Sequence, residues 1–268
     1  MKREEKYLSL DAKIQIAKLV IEDSFRTFKR SALVWSAGKD STVVLNLVEE
    51  VSHLEEKKLP PSIFIDHGQH YDETYKMVSE ISKAKDFIVI YAKNENFLNN
   101  VEGDKVLVDS LSQENREELS KINFDFNKKY IDYSLDTFEG NHLLKTVPFN
   151  EVIIKYRFDA LYTGVRWDEN DARSVETFIS PRSYPEHFRV QPIILFTERN
   201  VWDYMFSKDL PIHPLYYEGY RSIDGKFDSK KSNDKPAWEQ DLENTSERAG
   251  RAQDKENMME KLRKFGYM

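Results

Sequence analysis

Six consecutive residues, Ser36-Ala37-Gly38-Lys39-Asp40-Ser41, gather the groups that could hold a phosphate. Gly38 lets the backbone approach an anion closely. A helix starting near Asp40 would aim free N–H groups and the positive end of its dipole at that anion. Lys39 adds a full positive charge, and Ser36 and Ser41 add hydroxyl donors. The predicted chemistry is a phosphate cradle. It is not the usual triphosphate loop, G-x-x-x-x-G-K-[ST], because Leu33 stands at its first glycine and Asp40 at its Ser or Thr. The alternative for the same string is a plain strand-to-helix turn that needs one glycine. Asp40 is also a candidate Mg²⁺ ligand, directly or through water, although helix capping accounts for it equally.

Other candidates lie further along. Asp66, before His67 and Gly68, could bind a ribose, position Mg²⁺ or cap the next helix. His67 and His70 have no cysteine or third histidine near them, and zinc needs three or four protein ligands, so they read as a nucleotide contact or as part of a solvated turn. Thr163-Gly164-Val165-Arg166 brings a second small-residue turn, and Arg173 follows seven residues after Arg166. Two arginines could grip sulfate or triphosphate oxygens bidentately; surface pairing with Asp168, Glu169 or Asp171 is the alternative. Arg248 and Arg251 face the same choice, between phosphate and pairing with Glu247 and Asp254. Trp202 and Tyr204 read as packing residues.

The elements that must hold these groups alternate. Residues 9–29 carry Ile14, Ala17, Ile21, Phe25 and Phe28 at helical steps, with Ser9 or Asp11 as a cap. Strand-like runs at 32–35, 62–65, 87–91, 160–162 and 188–191 are separated by helical patterns near 40–51, 72–85 and 149–158. Thr197, followed three residues later by Asn200, marks a capped helix over 197–206. Such alternation predicts an α/β fold: a doubly wound parallel sheet with helices on both faces. Ligands then sit at the carboxyl ends of the strands, where residues 36–41 and 66–68 fall. Residues 94–146 read as an irregular, partly helical excursion within a domain over 1–216. Residues 217–268 read as an irregular C-terminal tail, too poor in aliphatic residues to hold itself tightly.

Composition closes off other functions. The 268 residues carry a net charge of −7, which argues against a general nucleic-acid coat protein. There is no cysteine, and hence no thiolate nucleophile, iron–sulfur cluster or disulfide. No run approaches the roughly 18 apolar residues of a membrane span, and the expected compartment is the cytoplasm. The order of self-association is left open.

These motifs resemble a known family. SAGKDS is similar to the SGGKDS pyrophosphate loop of the N-type ATP pyrophosphatases, with Ala37 in place of a glycine. Ile65-Asp66-His67-Gly68, Thr163-Gly164-Val165-Arg166, Thr197-Glu198 with Val201-Trp202, and Leu210-Pro211-Ile212-His213-Pro214-Leu215-Tyr216 resemble segments of the phosphoadenylyl-sulfate reductase and sulfate adenylyltransferase group. The stretch from Thr245-Ser246-Glu247-Arg248 to Gly266-Tyr267 is similar to the end of the ATP-binding adenylyltransferase subunit. The resemblance implies an adenine nucleotide alpha-hydrolase-like fold and an adenylyl transferase that uses ATP and Mg²⁺. Sulfate is its implied acceptor and a GTPase subunit its implied partner. It implies nucleotide contacts for Ser36, Ala37, Gly38, Lys39, Asp40, Ser41, Asp66, Gly68, Thr163, Gly164, Arg248 and Arg251, with Lys39, Arg166 and Arg173 catalytic and Asp40 on the metal. Flavin adenylylation, a DNA sulfur-modification subunit and a non-catalytic sulfonucleotide binder are the alternatives. Reduction of a sulfonucleotide through a thiol of this chain is excluded, because it has none.

Overall fold

The computed structural model describes residues 8–169, 171–245 and 247. Helix α1 (Leu10–Thr27) is capped by Ser9, whose side chain accepts the Ala12 N–H. Strand β1 (Ser31–Val34) then runs into α2 (Lys39–Leu54). Next come β2 (Ser62–Ile65), α3 (Asp72–Lys85) and β3 (Val89–Ala92). An insertion supplies α4 (Glu95–Leu98), β4 (Val101–Glu102), β5 (Lys105–Leu107), α5 (Gln113–Lys121), β6 (Tyr130–Asp132) and α6 (Phe138–Asn141). One π-helical turn, His142–Thr146, leads into α7 (Val147–Tyr156). The domain continues through β7 (Ala160–Tyr162), β8 (Ile179–Ser183), β9 (Glu186–Val190) and α8 (Glu198–Ser207).

The main sheet has the order β3-β2-β1-β7-β9-β8, parallel throughout except for the antiparallel edge strand β8. From the β1–β7 boundary the parallel strands run outward in chain order on both sides, β1-β2-β3 on one and β7-β9 on the other. That boundary is the topological switch point, where the loops after two neighbouring strands diverge and leave a crevice. The loops after β1 and β7 are residues 35–38 and 163–166, both singled out by their sequence.

Side-chain alternation sorts the strands onto two cores. Leu33, Phe64, Ala160, Tyr162 and Val190 join Ala17 and Ile21 of α1, Val44, Leu47 and Val48 of α2, Val78 of α3 and Trp202 of α8. Ala32, Ile63, Ala92 and Leu161 face Phe149, Val152 and Ile153 of α7. Helices therefore cover both faces, as the alternation predicts. The cap of α8 is reciprocal: the Asn200 N–H donates to Thr197 Oγ1 (3.2 Å) and the Thr197 N–H to Asn200 Oδ1 (3.1 Å).

Two regions differ from the sequence reading. Strand β8 was not expected; it holds Pro181 and Arg182 and alternates without an apolar run, which edge strands tolerate. The 94–146 excursion is more organised than its composition suggests. Its β4-β5-β6 sheet encloses a separate core of Phe97, Val106, Leu119, Ile131, Leu135 and Leu143. It roofs the end of β2, where the Tyr133 hydroxyl donates to the His67 carbonyl (3.2 Å). The segment 217–245 is irregular, yet Ala237 and Leu242 enter the main core and Trp238 packs edge-on to Trp202 and Tyr217.

Candidate active site

The loop after β1 closes on itself before α2 begins. Ser41 Oγ donates to the Gly38 carbonyl (3.0 Å) and accepts from the Ser36 N–H (3.3 Å). Gly38 caps α2, and the Lys39 N–H donates to the Tyr216 hydroxyl oxygen at 3.0 Å. The other first-turn N–H groups have no intrahelical partner by construction. Ala37, where the resembling loops carry glycine, sits at φ +60° and is buried. That backbone region is costly for any residue with a Cβ.

Two cations dominate the crevice, and both are inside it. Lys39 is 1% exposed and Arg166 fully buried. The Lys39 side chain therefore does not face solvent. Its Nζ donates to the Arg221 carbonyl (2.7 Å) and to Glu247 Oε1 (2.6 Å), with Asp40 Oδ2 at 3.6 Å and Glu198 Oε1 at 3.7 Å. Arg166 donates through Nε to Asp40 Oδ1 (2.7 Å), through Nη1 to Asp168 Oδ2 (3.2 Å) and through Nη2 to Glu247 Oε2. Arg221, also buried, pairs with Glu198 at 2.5 Å and holds Thr245 Oγ1 at 2.6 Å. Burial opposes the charge on Lys39 and Arg166, but Asp40 and Glu247 outweigh it and hold both above their ordinary range. Burial also pushes the Tyr216 hydroxyl up to about 12, against the pull of Lys39. It stays protonated and keeps its own proton to donate.

Ser36, Ala37, Gly38, Lys39, Asp40, Ser41, Gly164 and Arg166 thus meet at the switch point. Thr163 is buried beside them, and its hydroxyl has no hydrogen-bond partner among the described residues. Arg173 is not brought onto the cradle; its Nε lies 3.7 Å from Glu169 Oε2. Asp66 is tied into its own turn, accepting from the Gly68 N–H (3.1 Å) and the Tyr75 hydroxyl (2.6 Å), with Gly68 at φ +75°. His67 and His70 are buried with ring centroids 3.7 Å apart, so the solvated-turn reading is corrected. Burial, then its neighbour His67, drives His70 down to about 4. Arg248 and Arg251 lie outside the described residues.

The sequence reading missed four members of the site: Glu198, Tyr216, Arg221 and Glu247. Glu198, Tyr216 and Glu247 sit in strings it had noted and Arg221 in the tail, and their convergence is what could not be seen. For Mg²⁺, Asp40 is one carboxylate, with one oxygen already taken by Arg166. No group of three His, Asp or Glu fit to hold a metal occurs among the described residues. The donor set suits Mg²⁺ only as an ion whose remaining ligands are phosphate oxygens and water.

Fold and crevice together define the adenine nucleotide alpha-hydrolase-like class, and the comparisons narrow it. A model of the phosphoadenosine phosphosulfate reductase domain matches residues 30–230. The chain belongs to that family. A Brucella ovis protein named sulfate adenylyltransferase subunit 2 is 26% identical over 227 residues, covering 76% of this chain and 66% of that protein. Its Brucella anthropi counterpart is 26% identical over 221 residues, covering 74% and 62%. The chain thus spans just under two thirds of these relatives' length. Among solved structures, the Candida auris phosphoadenylyl-sulfate reductase in its phosphate complex aligns with a TM-score of 0.58, 19% identity and coverage of 83% of this chain and 98% of that one. Candida glabrata FMN adenylyltransferase with FMN and AMPCPP gives a TM-score of 0.58, 17% identity and coverage of 83% and 65%. At those identities the likeness shows the fold. No helix among the described residues is long and apolar enough to cross a membrane.

Proposed function

We propose that this chain binds ATP at the β1–β7 switch point and transfers its adenylyl group to sulfate, releasing pyrophosphate. One observation carries the reading: Lys39, the first residue of α2, and Arg166, from the loop after β7, converge on a single carboxylate, Glu247. A pocket that presents two buried cations to one anion at a helix N-terminus is built for phosphate oxygens. The β and γ phosphates lie in the 36–41 loop. A sulfate oxygen attacks the α phosphorus, the bond from that phosphorus to the bridging oxygen breaks, and pyrophosphate leaves with the electron pair. No side chain forms a covalent bond. Lys39, Arg166 and the Tyr216 hydroxyl stabilise the charge that builds on the leaving group. Mg²⁺, held by Asp40 and the phosphates, would supply further neutralisation.

The relatives' name supports sulfate as acceptor, and the word subunit in it supports a partner, which we take to be a GTPase. The missing cysteine sets this chain apart from thiol-based reduction. The test is pyrophosphate release from ATP and Mg²⁺ with sulfate, with FMN and with no acceptor, each with and without the co-purified partner. Release that depends on sulfate is expected. Release that depends only on FMN would reassign the acceptor, and no release in any arm would reject adenylyl transfer.

A further inference from the structure

Glu247 lies between the two cations of the candidate cradle. Its two carboxylate oxygens are divided between the two site cations, Oε1 on Lys39 Nζ at 2.6 Å and Oε2 on Arg166 Nη2. Its side chain is 6% exposed, so the contact is sealed from water. The buried cations Lys39, Arg166 and Arg221 face the carboxylates of Asp40, Asp168, Glu198 and Glu247. Asp40 and Glu198 belong to the permanent frame, on α2 and α8, and Arg221 holds Glu198 at 2.5 Å. Glu247 belongs to no helix or strand. Its segment is latched two residues earlier, where Arg221 Nη1 donates to Thr245 Oγ1 (2.6 Å) and Nη2 to the Thr245 carbonyl (3.2 Å).

We propose that Glu247 is an intramolecular stand-in for the nucleotide's terminal phosphates, closing the empty cradle and leaving it when a di- or triphosphate anion binds. The exchange is of like for like: a phosphate oxygen pair replaces a carboxylate oxygen pair on the same two cations. The Arg221–Thr245 hydrogen bonds use only the Arg221 guanidinium and Thr245, not the Lys39 or Arg166 groups that hold Glu247, and need not break. The stand-in spares Lys39 and Arg166 the cost of being buried without a counter-charge. It also makes the nucleotide compete with the chain's own carboxylate.

This rests on the phosphate-cradle reading, and its test separates the two. Binding of inorganic pyrophosphate and of AMPCPP is measured by calorimetry for the wild type, Glu247→Gln and Thr245→Ala. If Glu247 keeps the open state to about a tenth of the molecules, its removal tightens apparent binding about tenfold. Glu247→Gln is expected to bind both ligands about that much more tightly, and to melt earlier than the wild type without ligand. Thr245→Ala keeps every site charge, loosens the latch and should shift affinity the same way by less. Equal or weaker binding by both variants, with the wild type binding well, would overturn the stand-in and leave the cradle intact. No binding by any of the three would overturn both. Binding by Glu247→Gln alone would support the stand-in in its strongest form.

Discussion

Gly164 is pressed against the backbone of Asp40: a Cβ at 164 would lie 2.9 Å from the Asp40 carbonyl carbon and 2.9 Å from the Ser41 nitrogen. The first turn of α2 and the loop after β7 can share one crevice because residue 164 has no side chain. Their contact sets the distance between Asp40 and Arg166, hence the Nε–Oδ1 bond of 2.7 Å.

Gly164→Ala is therefore expected to push the two segments apart. Backbone atoms, not a flexible side chain, meet the new methyl, so overpacking should cost about 1–3 kcal/mol. Urea unfolding and calorimetric pyrophosphate binding check this. An unchanged midpoint together with unchanged binding would show that the two segments approach less closely than described.

Ala37 offers the opposite test. At φ +60° it holds a conformation that glycine adopts freely. Ala37→Gly relieves the Cβ clash but enlarges the unfolded ensemble, leaving a net gain of about 0.5–1 kcal/mol. Ala37→Val, β-branched and buried, should unfold at markedly lower urea. A lower midpoint for Ala37→Gly would contradict the left-handed assignment.

Acid stability follows from the buried histidines. Burial holds His70, His187 and His213 near 4, below the ordinary 6.5. Neighbouring cationic groups add to burial, His67 and Lys145 for His70, Arg189 and Arg182 for His187. The unfolded chain then binds more protons than the folded one between about pH 4 and 6.5, so stability rises with pH across that window and is lost on acidification. At pH 5 each histidine contributes a loss on the order of 1–2 kcal/mol relative to pH 7.5. His213 Nδ1 accepts the Leu215 N–H at 3.3 Å, so Nε2 carries the proton toward Thr74 Oγ1 at 2.9 Å. His213→Gln should flatten the pH slope of urea unfolding; an unchanged slope would place the titrating group elsewhere.

Much of this architecture was legible because it is local. The 36–41 string announces its own turn, and Thr197 with Asn200 announces the start of α8. The parts that were not legible depend on distance along the chain. Lys39 and Glu247 are 208 positions apart, and nothing near either residue reports the other. The burial of Lys39 is hidden for the same reason: its loop reads as a surface turn until Tyr216 and Arg221 cover it. Strand β8 lacks an apolar run because one edge and much of one face meet solvent. The 94–146 core escaped notice because its apolar residues are spread over short strands and single helical turns, with no sustained period.

The proposed function has Lys39 hold the β and γ phosphates, which leave together as pyrophosphate. Because Lys39 is buried among Glu247, Glu198 and Asp40, Lys39→Ala strands carboxylates and should also cost stability, about 3–5 kcal/mol for a broken buried pair. The decisive measurement is therefore ATP-dependent pyrophosphate release by Lys39→Ala and by the double variant Lys39→Ala/Glu247→Gln, which removes a stranded carboxylate, with folding checked by circular dichroism. Loss of release in a folded double variant, against sulfate-dependent release by the wild type, is the predicted result; near-normal release by either folded variant would contradict the account.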